Sequence, residues 1–242
     1  MTQLATRGYD LPRAHQAVRA LLTNPDDLPR VFDIIESLSG DTLDRIQRSL
    51  KRSESGRDLL ATRPDIVDFL GDRAWLRSLP EGSLGRAYLR FVEHEGISAQ
   101  GIRDASLNRE NVKAFTEEQQ WIRNRLRDTH DLWHAVTGYH GDVAGELALL
   151  AFTFAQEFNP SIALIVIAAL TKGLGRKNVR LIAGGYRDGR RAAKFVAIRW
   201  EDLLARPLAE VQRELSVSPA PSYEEIRTSV LRAEGKLAPA TA

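Results

Sequence analysis

Apolar residues of this 242-residue chain recur three or four positions apart along almost its whole length. That spacing predicts amphipathic helices, each with one buried face. The clearest alternating stretch, residues 194–199, is too short to anchor a sheet. We therefore expect an all-α fold, organised as a single helical domain.

Capping and breaking residues divide this pattern into separate helices. Residues 53–80 contain Pro64, Gly71 and Pro80, which predict one short helix with loops around it. Residues 236–242 are expected to be disordered. A further helical segment is expected after Gly175, running through residues 184–185. The remaining helices are expected at about residues 12–22, 29–38, 41–50, 85–95, 117–136, 142–158, 160–171, 200–204, 207–215 and 223–231.

Composition excludes several kinds of site. The chain has no cysteine, which rules out disulfides, thiolate zinc sites and iron–sulfur clusters, so any metal must bind to nitrogen and oxygen ligands. Lys and Arg number 34 against 32 Asp and Glu, a balance that does not indicate nucleic-acid binding. The first residues lack the apolar stretch of a signal peptide, and residues 156–160 interrupt the most apolar region. We expect a cytoplasmic protein without a transmembrane span.

Three glycines follow the predicted helix that ends near residue 136. Gly138, Gly141 and Gly145 lie within eight residues, which disfavours an unbroken helix. We expect the chain to turn at residues 138–141, with Asp142 capping the next helix. Two antiparallel helices joined by a glycine-rich turn are therefore predicted here.

Four residues around this turn have the chemistry of metal ligands. His130 and His134 lie four residues apart on one helical face, and Asp131 lies about 100° round from His130. The turn would bring Glu146, in the first turns of the returning helix, to face His134. Two imidazoles and two carboxylates suit one divalent ion, either Zn(II) or Fe(II), Mn(II) or Co(II).

A structural explanation of the same residues is that the two histidines are an ordinary surface or core pair, with Asp131 paired to Arg127. Three of the five histidines fall within eleven residues, which favours the metal site. Arg127 shares the ligand face and is a candidate to bind a substrate carboxylate, with a surface ion pair as the alternative. We interpret His140 as an exposed loop imidazole. No residue stands out as a separate catalytic base.

Residues 130–156, HDLWHAVTGYHGDVAGELALLAFTFAQ, resemble the Coq-four family, the ubiquinone biosynthesis protein four family. The pattern H-D-x-x-H, eleven residues and then Glu matches position for position. Residues 83–98 and 185–215 resemble the family's flanking blocks, so the resemblance covers about residues 79–221. It implies three segments: weakly matched short helices at 1–80, a metal-binding helical core at 81–221, and a C-terminal helix and tail at 222–242.

The resemblance implies a mostly helical protein that binds a metal through His130, Asp131, His134 and Glu146. The implied activity is oxidative decarboxylation at ring carbon C1 of a polyprenylated 4-hydroxybenzoate, and the alternative is a lipid-binding scaffold for the quinone-biosynthesis enzymes. Its expected partners are the polyprenylated aromatic acid, those enzymes and the inner face of a membrane, bound peripherally; a homodimer is also considered. A metal phosphohydrolase of the HD type ranks third, because it does not explain the glutamate spacing.

Overall fold

The computed structural model of the protein describes residues 9–23, 28–38, 40–107, 115–235 and 237. Within these ranges the regular structure is helical, apart from one isolated bridge between Ser83 and Pro207, and the all-α prediction is confirmed. The α-helices are α1 (Leu11–Thr23), α2 (Leu28–Leu38), α3 (Thr42–Arg52), α4 (Glu54–Thr62), α5 (Val67–Leu70), α6 (Arg73–Ser78), α7 (Leu84–Glu95), α8 (Ala99–Leu107), α9 (Glu117–Asp128), α10 (His130–Thr137), α11 (Val143–Glu157), α12 (Pro160–Thr171), α13 (Val179–Arg191), α14 (Leu208–Glu214) and α15 (Thr228–Ala233).

The helices pack into two compact units. The first unit contains the described residues between 41 and 138 and residues 192–219, and therefore α3 to α10 and α14. One of its hydrophobic clusters joins α3, α4 and α9 through buried aliphatic side chains, which exclude water from between the helices. The buried members are Ile46, Leu50, Leu60 and Ile122.

The second unit contains the described residues up to Gly40, residues 139–191 and the described residues from Ala220 onward. Two hydrophobic clusters hold its helices together. The first joins α1, α2 and α12, and its buried members are Ala17, Val18, Leu21, Ile34 and Ile165. The second is centred on α11, and its buried members are Val143, Leu147, Ala151, Ala169, Leu174, Ile182, Leu231 and Leu237.

Glycines allow α13 to approach α11 backbone to backbone. A Cβ added at Gly185 would lie 2.2 Å from the carbonyl oxygen of Ala148, and one added at Gly189 would lie 2.4 Å from that of Phe152. The side-chain amide of Gln156 also donates a hydrogen bond of 2.6 Å to the carbonyl of Gly189. Successive contacts therefore follow increasing residue numbers on both helices. No larger residue fits at either glycine.

Adjacent glycines of α13 provide a matched test of this contact. We expect Gly185→Ala to lower the free energy of unfolding by about 1–3 kcal/mol or more, because the methyl group would overlap backbone atoms. Gly184→Ala should instead raise it by roughly 0.5–1 kcal/mol, since its Cβ would meet nothing nearer than Arg187 Nη2 at 3.9 Å. Urea unfolding of both variants measures the difference, and equal effects would contradict this packing.

Several predicted helix bounds agree with the structure, although the caps differ in detail. The prediction for residues 160–171 matches α12, and the side chain of Asn159 caps it by accepting from the Ser161 amide. Asp41 precedes α3 as expected, but its side chain makes no capping hydrogen bond there. Its carboxylate instead pairs with Arg45 at 2.8 Å. An ion pair one turn into the helix has replaced the cap.

The prediction of one continuous helix over residues 117–136 is wrong, because the helix is interrupted at one residue. Thr129 ends α9 and precedes α10. Its hydroxyl donates a hydrogen bond of 2.8 Å to the carbonyl of Arg125, four residues earlier. This back-bonding by threonine competes with the helical hydrogen bonds and bends helices. The metal motif therefore begins a helix of its own.

Two further segments differ from prediction. Residues 53–80 form three short helices, α4, α5 and α6, rather than one. The predicted helix over residues 223–231 is wrong at its start, because α15 begins at Thr228. Ile226 makes backbone hydrogen bonds to other partners, accepting from Val143 and donating to the Asp142 carboxylate, which are incompatible with a helix. The predicted disordered tail lies outside the described residues, apart from Leu237.

Candidate metal centre

Helix α10 carries two histidines one turn apart. The ring centroids of His130 and His134 lie 4.9 Å from each other, with the ring planes at 73°. His134 is 1% exposed, whereas the side chain of His130 is 37% exposed. The four-residue spacing therefore places both imidazoles on one side of the helix, as the sequence predicts.

Helix α7 supplies aromatic side chains beside α10. The ring of Phe91 stacks on the imidazole of His134, with centroids 4.7 Å apart and an interplanar angle of 13°. Tyr88, one turn earlier on α7, is 1% exposed. Burial, followed by the negative charge of Asp131, raises the pKa of the Tyr88 phenol above its ordinary value of 10.0. Neither residue is among the predicted site residues, because their position beside α10 depends on the packing of two helices that are distant in sequence.

Other contacts fix α10 within the first unit. The indole of Trp133 meets the ring of Phe195 edge to face, with centroids 5.2 Å apart. Phe195 in turn meets Trp200 in the same geometry at 5.1 Å. The Gln212 side chain donates a hydrogen bond of 2.9 Å to the carbonyl of Val136 in the last turn of α10. These contacts hold α10, and with it the two histidines, in place within the first unit.

Asp131, the predicted carboxylate ligand on α10, is 5% exposed. Its Oδ1 lies 3.2 Å from Nδ1 of His130. A carboxylate at a ring nitrogen selects the imidazole tautomer and orients the ring. This contact is compatible with a ligand and also with a residue that positions His130, and its role as a ligand stays a prediction.

Glu146 lies in the first turn of α11, at a position that an N-cap determines. The Asp142 carboxylate accepts hydrogen bonds from the amides of Ala144 and Gly145 at 3.0 and 3.2 Å. It also accepts one from the amide of Ile226 at 2.7 Å. The predicted cap is confirmed, and α11 begins two residues after Gly141, with Gly145 in its first turn.

His140 belongs to a separate set of contacts at the start of α11. Its side chain is 49% exposed, and its Nδ1 lies 2.5 Å from the carboxylate of Glu225. Its amide donates a hydrogen bond to the hydroxyl of Tyr223, which itself donates to Asp142 at 2.9 Å. The exposure agrees with the prediction of an exposed loop imidazole, whereas the pairing with Glu225 was not predicted.

One ligand atom from each of His130, His134 and Glu146 lies within 4.8 Å of the other two, so these side chains could hold a metal ion. Two imidazole nitrogens and a carboxylate oxygen are a donor set that zinc, iron, manganese and cobalt accept. Three of the four predicted ligands therefore form one group, and the residues fit a divalent ion whose identity they leave open.

Arg127, the candidate for substrate binding, is part of an ion-pair network. Its Nε donates to the Asp128 carboxylate at 2.7 Å, and its side chain is 10% exposed. Asp128 also pairs with Arg103 at 3.0 Å, and Arg103 reaches Asp65 at 2.6 Å. The guanidinium of Arg103 is the largest influence that lowers the pKa of Asp65. Arg127 therefore has a carboxylate partner, and its role towards a substrate stays a prediction.

The fold and this group together define an all-α protein with a group of two histidines and a carboxylate that could hold a metal ion. A family model described as "Coenzyme Q (ubiquinone) biosynthesis protein Coq4" matches residues 11–221. The Aspergillus terreus ubiquinone biosynthesis protein coq4, mitochondrial, is 32% identical over 211 residues, which cover 84% of this chain and 71% of the relative. The Neurospora crassa ubiquinone biosynthesis protein coq-4, mitochondrial, is 33% identical over 187 residues, which cover 76% of this chain and 52% of that relative.

A crystal structure of a Nostoc punctiforme protein assigned to ubiquinone biosynthesis has the same fold. It is 23% identical, has a TM-score of 0.59, and the match covers 86% of this chain and 98% of that one.

The chain belongs to the Coq4 family. The family match starts at residue 11, so it extends further towards the N-terminus than the motifs at residues 79–221 indicate. Membership supports a role in ubiquinone biosynthesis. In the part of the chain that the structure describes, none of the helices has the length and apolar character needed to cross a membrane.

Proposed function

We propose that this protein is a metal-dependent enzyme of ubiquinone biosynthesis that acts on a polyprenylated 4-hydroxybenzoate. The observation that carries the proposal is the group formed by His130, His134 and Glu146 in a member of the Coq4 family. We include Asp131 as the fourth ligand, because it lies on the same helix and has a buried carboxylate.

The proposed reaction replaces the carboxyl group at ring carbon C1 with a hydroxyl group and releases CO2. This exchange is a two-electron oxidation: the ring acid, water and O2 would give the ring-hydroxylated product, CO2 and hydrogen peroxide, with O2 as the acceptor of the two electrons. A bound ion would offer open coordination positions and positive charge that stabilises negative charge on the ring acid. Arg127 would orient the carboxylate, for which its planar guanidinium is suited.

Peripheral attachment to a membrane forms part of the proposal, because a polyprenylated acid resides in lipid. The second unit exposes apolar side chains, with Phe158 at 42% and Ile167 at 58%. The guanidinium of Arg190 lies 5.5 Å from the ring centre of Phe158. Exposed aromatic and aliphatic groups beside arginine are typical of surfaces that bind the membrane interface.

The experiment incubates purified, metal-analysed protein with the prenylated acid and O2, and measures CO2 and the ring-hydroxylated product. We expect the wild-type protein to release CO2 and Glu146→Gln to lose about 100-fold or more of this activity, as expected when a metal ligand is removed. His94→Ala is the matched control, since the His94 side chain is 64% exposed and should not affect the rate.

The scaffold alternative predicts a different result. A folded Glu146→Gln protein would then restore ubiquinone synthesis in a deletion strain as well as the wild type does. Equal CO2 release by metal-free and metal-loaded protein would also overturn the proposed chemistry.

A further inference from the structure

The hydroxyl group of Tyr88 is a buried polar group whose purpose the packing does not explain. The residue is 1% exposed, and among the described residues its oxygen has no hydrogen-bond partner. Some side chains of the described residues have unpaired polar atoms that are fully enclosed, and the Tyr88 oxygen is not one of these atoms. The small exposed area of Tyr88 therefore includes its oxygen, which borders accessible space.

Matched spacing on two helices places this hydroxyl beside the metal motif. Phe91 of α7 stacks on His134 of α10. Three residues earlier on each helix lie Tyr88 and Asp131, and the negative charge of Asp131 adds to burial in raising the pKa of the Tyr88 phenol. Tyr88 lies one turn before Phe91, so it belongs to the part of α7 that packs beside the histidines of α10.

The charges around the phenol suit a hydrogen-bond donor. Besides Asp131, the carboxylate of Asp128 and the guanidinium of Arg73 act on it electrostatically. Arg73 donates a hydrogen bond to the carbonyl of Ile97, 2.9 Å away, which fixes its position. A phenol is protonated at neutral pH, and a buried donor without a partner is unfavourable until a ligand or water accepts from it.

We propose that the Tyr88 hydroxyl donates a hydrogen bond to an oxygen atom of the aromatic hydroxy acid bound at the metal centre. This inference rests on the proposed function for the class of ligand. It makes Tyr88 a substrate-binding residue contributed by α7, more than forty residues before the metal motif. The role of the Tyr88 oxygen is then to bind the ligand rather than to stabilise the fold.

The test uses full-length protein loaded with Co(II) and titrated with 4-hydroxybenzoate, followed by the visible absorption of the cobalt. Tyr88→Phe removes only the oxygen. We expect its dissociation constant for the acid to rise about tenfold or more, with unchanged cobalt content and undiminished stability to urea. Tyr186→Phe is the matched control, because this phenol on α13 is 38% exposed and its removal should not change binding.

Three results would overturn the inference. These are equal affinity of Tyr88→Phe and wild-type protein, loss of cobalt or of stability in Tyr88→Phe, and a wild-type spectrum that does not respond to the acid. Normal acid binding without CO2 release would overturn the proposed decarboxylation alone and leave Tyr88 as a ligand-binding residue.

Discussion

Glu201→Gln is expected to lower the free energy of unfolding by about 3–5 kcal/mol, because it leaves a buried arginine without its charge partner. Both Arg125 terminal nitrogens donate to the Glu201 carboxylate, at 2.8 and 2.9 Å. The two side chains are only 3% and 6% exposed. Arg125 also donates to the carbonyl of Ile198, and its guanidinium lies 5.5 Å from the ring centre of Trp121. The pair therefore joins α9 to the turn at residues 200–202.

Urea unfolding measures this effect, and a surface pair provides the control. Arg77 and Glu93 have side-chain exposures of 54% and 39%, so Glu93→Gln should cost less than about 1 kcal/mol. The double variant Arg125→Met with Glu201→Leu should recover much of the loss, since an apolar pair needs no charge partner. A Glu201→Gln protein as stable as Glu93→Gln would contradict a structural role for the buried pair.

Sequence periodicity predicts the helices well where local signals and packing agree. In α12 the Asn-Pro start, the apolar face and the length all derive from adjacent residues. The break at Thr129 was missed because a threonine inside a helical pattern can either continue the helix or bond back to a carbonyl. The late start of α15 has a tertiary cause, since Ile226 is bound to the α11 cap rather than to its own helix.

In the candidate site, too, the residues close in sequence could be predicted and those brought in by helix packing could not. The spacing of His130, His134 and Glu146 was sufficient to predict their group, because the glycine-rich turn lies within the motif. Tyr88 and Phe91 could not be assigned to it from spacing alone. Their approach to α10 depends on helix packing across more than forty residues, which no local pattern records.

Asp131→Asn should reduce affinity for zinc more than about 100-fold if the carboxylate is a ligand, as we predict. Loss of a residue that only orients a ligand typically costs 10–100-fold. Asparagine retains an oxygen that can accept from Nδ1 of His130. This substitution therefore removes the negative charge at residue 131 but keeps the contact that orients the His130 ring. Competition with a chelator gives the affinity of each purified variant, with His134→Ala as the reference for a lost ligand.

Asp131→Ala and His94→Ala complete this comparison. A ligand role requires Asp131→Asn and Asp131→Ala to lose similar affinity, whereas an orienting role requires Asp131→Asn to bind zinc nearly as well as the wild type. His94→Ala removes an exposed imidazole and should bind normally. Near-normal binding by Asp131→Asn together with weak binding by Asp131→Ala would reduce the metal site to His130, His134 and Glu146. The contact of 3.2 Å between Asp131 and His130 would then be the reason that the aspartate follows the first histidine directly in the motif.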